Sequence, residues 1–138
     1  MLLIGIFAVL GVAGCSSSSS PPARAVPPAR MERTGTSGVL SVVLTPLGAQ
    51  RIGIQTAPSV AAKKLVMVPF QALLYEPDGS TVVYTQTGTD TYTRQFITVA
   101  AINGSQVLVS SGLPAGTQVV TVGAEELLGV QNGVGVQT

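Results

Sequence analysis

Short runs of β-branched residues alternate with turn residues from Val39 onward, and this spacing constrains the fold more than any other feature of the chain. Thr81–Gln86 is such a run, and Glu76–Gly79 before it contains proline, aspartate and glycine in an order typical of a turn. Asn103–Gly104 between two further runs is typical of a tight hairpin. Strands that recur every ~8–12 residues predict a small barrel or sandwich. We therefore predict an all-β fold, a small β-barrel or sandwich of short antiparallel strands with one short helix.

The predicted helix follows the first strand of this series. Thr45 is a good N-cap, Pro46 suits the first helical position, and Gly53 suits a left-handed exit. Near the C-terminus, Glu125–Leu128 predicts at most one closing helical turn. The predicted strands are Val39–Leu44, Ile54–Ser59, Leu65–Val68, Thr81–Gln86, Thr91–Ala100, Gln106–Ser110 and Thr117–Val122.

Composition excludes several classes of function. Seven basic and six acidic residues give a net charge of +1, so the chain lacks the basic footprint of a nucleic-acid-binding protein. It has no histidine and one cysteine, which removes imidazole catalysis, the commonest metal ligand and an intrachain disulfide. Neither GxGxxG nor a phosphate-binding GxxxxGK[ST] occurs. We predict no enzymatic activity, no cofactor, no metal site and no nucleic-acid partner.

The single cysteine, Cys15, closes an apolar run that begins at Leu2 and ends in small residues, and Ser16–Ser20 follows it. The run is shorter than the roughly 20 residues of a spanning helix and fits the core of a signal peptide. It resembles the lipobox of bacterial lipoproteins. The resemblance implies that residues 1–14 are removed and that Cys15 is lipidated. A buried structural cysteine is the alternative. No Lys or Arg precedes Cys15, so either the α-amino group alone supplies the usual charge or translation starts upstream of Met1.

Residues 15–38 are predicted to be a disordered linker, because they are rich in serine, proline and arginine and contain few large apolar groups. Its arginines could lie against anionic head groups, or the segment is simply a soluble tether. The β domain is predicted to span residues 39–130, and residues 131–138 are predicted to be a flexible tail.

Several motifs of the β domain occur in the order found in periplasmic adaptor proteins, also called membrane fusion proteins, of efflux pumps and ABC-type exporters. The following segments of this chain resemble the C-terminal, membrane-proximal part of that family: Val68–Pro69, Ala72–Leu74, Asp78–Gly79, Val82–Tyr84, Val99, Val107–Val109, Ser111–Gly116, Val119–Val120 and Gly123–Ala124. Upstream, Val42–Thr45 and Ile52–Ala57 are similar to the segment that follows the lipidated N-terminus.

The resemblance implies that these two segments pair in one membrane-proximal β domain. In the family they are separated by a lipoyl-like domain, a helical hairpin and a β-barrel domain, whereas here only Val60–Ala62 stands between them. The helical hairpin, the part of an adaptor that reaches an outer-membrane channel, is therefore not expected in this segment. Contact of the β domain with a transporter is expected.

The functional prediction is a non-enzymatic lipoprotein that serves as accessory or adaptor subunit of an envelope efflux or export transporter. Its expected partners are the lipid bilayer, through acylated Cys15, and an inner-membrane permease of RND or ABC type, and a homo-oligomer is left open. The expected location is the cell envelope, with the lipid anchor on the outer face of the cytoplasmic membrane or in the periplasm. The alternative is an envelope binding or structural module that kept the adaptor β domain without a transporter.

Other residues have a structural interpretation beside each functional one. Glu125–Glu126 could form an acid pair, but adjacent side chains diverge and acids are common at a helix start. Lys63–Lys64 could contact head groups or a permease loop, or be only a charged turn. Four aromatic side chains could form a partner surface, although core and cross-strand packing is the default: Phe70, Tyr75, Tyr84 and Tyr92.

Overall fold

The computed structural model describes residues 26–34 and 38–133. The strands in this part of the chain are β1 (Ala29–Thr34), β2 (Val39–Leu44), β3 (Gln55–Pro58), β4 (Val60–Ala62), β5 (Leu65–Pro69), β6 (Leu74–Tyr75), β7 (Thr81–Gly88), β8 (Thr91–Asn103), β9 (Gln106–Ser111) and β10 (Gln118–Val122). The helices are α1 (Pro46–Ile52) and α2 (Ala124–Gln131), and a 3₁₀ turn covers Phe70–Ala72. The predictions for the signal peptide, for Cys15, for the linker over residues 16–25 and 35–37, and for residues 134–138 of the tail lie outside the described residues.

All strand pairs are antiparallel, and the main sheet has the order β3-β10-β7-β8-β9-β5-β4. The β1–β2 hairpin joins it because β2 also pairs with β8, and β6 pairs with β7. β8 serves two parts of the sheet: its first half pairs with β7 and β2, and its second half pairs with β9. Register shifts between Thr98 and Ala101 interrupt the second pairing. The mainly β, barrel-like sheet confirms the predicted fold class.

β7 and β10 carry apolar side chains on both faces and therefore lie between two cores. On β7, Val82 and Tyr84 pack in one core while Val83 packs in the other. On β10, Val120 joins the first core and Val119 the second. Because neighbouring side chains of a strand point to opposite faces, a strand buried on both faces requires consecutive apolar residues. This arrangement explains the paired valines in the sequence.

The residues that predicted α1 act as expected. The Thr45 hydroxyl accepts a hydrogen bond from the Gly48 amide at 3.0 Å, and Pro46 occupies the first turn. Gly53 ends the helix in the left-handed region, with φ of 69°. The carbonyl of Pro28 accepts from the Thr45 amide at 2.9 Å, which fixes the chain before β1 against the start of the helix.

The structure corrects the predicted elements at both ends of the domain. The segment predicted to be linker through residue 38 contains β1, whose Ala29 is buried in the first core. Its charged side chains Arg30, Glu32 and Arg33 are compatible with a strand because β1 lies at the edge of the sheet, where charges are common. α2 is longer than one turn and passes residue 130. Leu127 is fully buried, and Leu128 and Val130 also pack against the first core, so the apolar contacts of the helix continue beyond its first turn. Residues 26–34 and 38–133 thus contain two short α-helices, whereas the sequence predicted one. Neither α1 nor α2, in the part of the chain that the structure describes, is long and apolar enough to cross a membrane.

Candidate functional site

The two acidic residues singled out in the sequence do not form a buried acid pair. Glu125 and Glu126 are both exposed on the first turn of α2, where carboxylates interact favourably with the helix dipole. They border a shallow opening that Gln71 and Thr121 also line. Their exposure agrees with the structural interpretation rather than with an acid–base role.

The four aromatic side chains divide into two groups. Tyr84 and Tyr92 are buried in the first core, as core packing predicted. Phe70 and Tyr75, in contrast, are 44% and 57% exposed, so neither packs in a core. Tyr75 takes part in a cross-strand pair with Thr81, which the expectation of core and cross-strand packing includes. Lys63 and Lys64 are exposed at the β4–β5 turn.

Four threonines, Thr34, Thr87, Thr91 and Thr93, line a groove with a volume of about 520 Å³. A row of hydrogen-bonded hydroxyl groups runs along it and includes Ser41. The Ser41 hydroxyl is buried and contacts Thr34 Oγ1 and, at 2.7 Å, Thr93 Oγ1. Thr93 Oγ1 also lies 3.1 Å from Thr87 Oγ1. The exposed surface of the groove is mainly apolar, and the threonine hydroxyls are its polar groups. Because a hydroxyl can both donate and accept a hydrogen bond, the groove suits an uncharged ligand that has apolar as well as hydrogen-bonding groups. The groove is not evident from the sequence, because the residues of the row come from four strands, β1, β2, β7 and β8.

A second polar network joins α2 to the sheet. Arg94 Nη1 donates to Glu76 Oε1 at 2.7 Å, and the Arg94 guanidinium lies 5.2 Å from the centre of the Phe96 ring. The Gln131 amide satisfies both of its neighbours when its nitrogen donates to Tyr84 Oη at 2.5 Å and its oxygen accepts from Arg94 Nε at 3.2 Å. This network anchors the end of α2, which indicates a structural role.

Burial raises the pKa of the Tyr84 hydroxyl well above its ordinary value near 10, and the neighbouring Arg94 guanidinium only partly offsets this effect. The tyrosinate form is therefore disfavoured in the folded state but free to form in the unfolded state. Above about pH 10 the unfolded chain loses this proton first, so the free energy of unfolding should fall by about 1.4 kcal/mol per pH unit for one such tyrosine.

Tyr84→Phe should make the alkaline loss of stability less steep in urea titrations between pH 9 and about 11. Tyr75→Phe, which removes an exposed tyrosine, is the matched control and should leave the slope unchanged. Tyr92 contributes in the same direction as Tyr84, because burial and then Asp90 raise its pKa, so some slope should remain in Tyr84→Phe. An identical slope in the wild type and Tyr84→Phe would contradict the assignment.

The junction between the two adaptor-like segments is a tight corner at Ser59. Its amide donates to the Thr117 carbonyl and its carbonyl accepts from the Gly116 amide, both at 2.8 Å. Its hydroxyl donates to the Pro114 carbonyl at 2.9 Å and accepts from the Thr117 amide at 3.0 Å. Ser59 thereby joins β3 to β4, the two ends of the main sheet, and holds them against the β9–β10 turn.

The described residues contain no group of three or more acidic, cysteine or histidine side chains that could hold a metal ion. That the chain has no enzymatic activity stays a prediction.

A comparison with protein-family models matches part of the chain. Residues 64–126 match the model described as RND MFPs, C-terminal permuted SH3 domain, where MFP stands for membrane fusion protein. No curated protein and no solved structure matches the chain. The matched range runs from the β4–β5 turn to the first turn of α2 and contains every downstream motif that carried the resemblance.

The upstream segment lies outside the matched range but completes the same sheet. β2 pairs with β8 between Ser41 and Val43, and β3 pairs with β10. The expected pairing of the two segments in one β domain is therefore observed. Domains of this family are non-catalytic adaptor domains that work with transporters in the cell envelope. Residues 64–126 thus form a domain of the membrane fusion protein family.

Proposed function

We propose that this protein is a lipid-anchored accessory or adaptor subunit of an envelope efflux or export transporter, and that it docks on the transporter through its β domain. The observation that carries the proposal is the family match of residues 64–126, completed by β1, β2 and β3 in one sheet. The domain is a packed unit with two cores, so it is suited to act as a rigid docking module.

The position of Cys15 supports this function. Residues 16–28 separate it from the first strand, a distance of at most about 45 Å when fully extended and roughly 20 Å on average for a flexible chain. An acylated Cys15 would therefore hold the β domain close to the bilayer, within reach of the periplasmic surface of a permease.

The connection between β3 and β5 limits the proposed role. Only Ser59–Lys64 link these strands, at the point where adaptors insert their helical hairpin. The proposal is therefore restricted to contact at the membrane surface and does not include a conduit to an outer-membrane channel.

Affinity purification of the tagged chain from crosslinked, detergent-solubilised membranes tests this function. We expect an RND or ABC permease to be enriched with the wild-type chain and to be recovered less with Cys15→Ser, which removes the proposed anchor but leaves the β domain intact. Repeated purifications that recover no transporter component would exclude the transporter role.

The hydroxyl-lined groove favours one second candidate, an envelope module that binds a hydroxyl-rich wall polymer without a transporter. Cosedimentation with purified cell wall separates the two functions. The second candidate requires binding to the wall that Thr93→Val weakens, because this substitution removes the hydroxyl at the centre of the row.

A further inference from the structure

One face of the sheet formed by β4, β5, β9 and the end of β8 is apolar but faces away from both cores. The opposite face of the same strands points inward and carries Val68, Val107 and Val109, which are buried in the second core. Because side chains alternate along a strand, the intervening residues Met67 and Leu108 lie on the opposite face.

The outward residues form a continuous row across four strands. Met67 pairs with Val60 on one side and with Leu108 on the other, and Leu108 pairs in turn with Ala101. Leu65, paired with Ala62, widens the row by one position. Val60 is 49% exposed, and the other members of the row are partly exposed. A contiguous apolar surface of this kind on a solvent-exposed face is typical of an interaction site.

The strands of this face and the turns between them carry charge of one sign. Residues 53–75 and 95–124, which include every strand of this part of the sheet, contain no acidic residue, and their only charged residues are Lys63 and Lys64. Both lysines are exposed in the β4–β5 turn, beside Ala62 and Leu65 at the border of the apolar row. The acidic residues of the domain that are closest in sequence, Glu76 and Glu125, lie on other elements.

We propose that this face rests on an anionic lipid surface, with the apolar row in the interfacial region and the lysines at the level of the phosphates. Long lysine side chains can keep the ammonium group among head groups while their methylenes cover apolar surface. Each lysine near an anionic leaflet strengthens binding, and the removal of two should weaken it by about thirtyfold. This contact rests on the proposed function in one respect, which is that the lipid anchor holds the domain beside the membrane.

A tryptophan placed on this face can report the contact, because the natural chain has no tryptophan. In the full chain bound to vesicles of phosphatidylcholine and phosphatidylglycerol, Met67→Trp should emit at shorter wavelength than in solution and be quenched by brominated acyl chains. Leu47→Trp is the matched control: Leu47 is also apolar and is 54% exposed, but it lies on α1, which packs against the first core. Its emission should not change.

Charge variants complete the test. Lys63→Gln/Lys64→Gln should reduce the change at Met67→Trp, with about thirtyfold weaker binding of this face to the vesicle surface. Arg33→Gln/Arg51→Gln, with the same loss of charge elsewhere on the domain, should leave the change in place. Equal responses of the two tryptophans, or no response on anionic vesicles, would overturn the proposal.

Two other occupants would give different results. If the emission of Met67→Trp in solution depends on protein concentration, the face is covered by a second copy of the chain and not by the bilayer. A response only in native membranes, and not in protein-free vesicles, would replace it by a protein. The lipid mass on Cys15 is measured separately, so failure of the anchor and failure of this contact are distinguishable.

Discussion

Gly112→Ala is expected to destabilise the domain by about 3 kcal/mol or more, because it combines backbone strain with a steric clash. Gly112 has φ of 96°, in a region that residues with a Cβ rarely adopt. A Cβ built at this position would clash with the carbonyl oxygen of Phe96 and lie 3.0 Å from Ile97 Cα. Both are backbone atoms of β8, so the neighbour cannot move aside without disturbing the sheet. Urea unfolding followed by far-ultraviolet circular dichroism measures the loss.

Gly116→Ala is the control for this substitution. Gly116 lies in the same turn and has φ of 84°, but a Cβ there would meet no heavy atom within 4 Å. Only the backbone strain should remain, about 1–2 kcal/mol. A loss of stability that is equal in the two variants would show that the approach to β8 at Gly112 has no energetic consequence.

This difference also explains the most specific motif of the family resemblance. Ser111–Gly116 leads from β9 toward β10, and the absence of a side chain at Gly112 lets the turn pass directly against the β8 backbone. Leu113, the next residue, is buried in the second core. The motif is therefore recognised because it builds the fold, and it identifies the domain without marking a binding residue.

Elements specified by local sequence could be predicted. Thr45, Pro46 and Gly53 determine where α1 begins and ends, since each acts through its own backbone or its nearest turn. Asn103–Gly104 likewise specifies the β8–β9 hairpin. β1 could not be predicted in the same way. Its residues are charged and follow prolines, and only the register with β2, which brings Ala29 opposite Leu44, makes them a strand.

The polar networks could not be predicted from the sequence either. Arg94 contacts residues from the β6–β7 turn and from the end of α2, and Ser41 contacts hydroxyls from β1 and β8. These partners are far apart in the chain, so their proximity depends on the completed sheet. The outward apolar row could not be predicted either. The alternation of side chains along a single strand indicates that the strand has two faces, but it does not indicate which face packs in the second core.

Cys15→Ser is expected to abolish membrane anchoring through a lipid, because serine offers no thiol for the diacylglycerol. The variant should accumulate as the full-length precursor with no lipid mass, whereas the wild type should appear as a shorter chain that begins at a lipid-modified Cys15. Each buried CH₂ of an acyl chain contributes about 0.8 kcal/mol, and two or more chains give stable attachment, so the change in membrane partitioning of the mature chain should be large. Intact mass spectrometry of the detergent phase measures both the cleavage and the lipid.

The position of the thiol, and not merely its presence, should decide the outcome. Ser18→Cys in the Cys15→Ser background restores a cysteine three residues farther from the apolar run, behind polar residues where a lipobox would have small apolar ones. We expect this double variant to remain unmodified. A wild-type chain without lipid, or a Cys15→Ser chain with unchanged mass and membrane attachment, would contradict the lipoprotein assignment. The family membership of residues 64–126 would then stand unchanged, but the nearness of the β domain to the bilayer would need another cause.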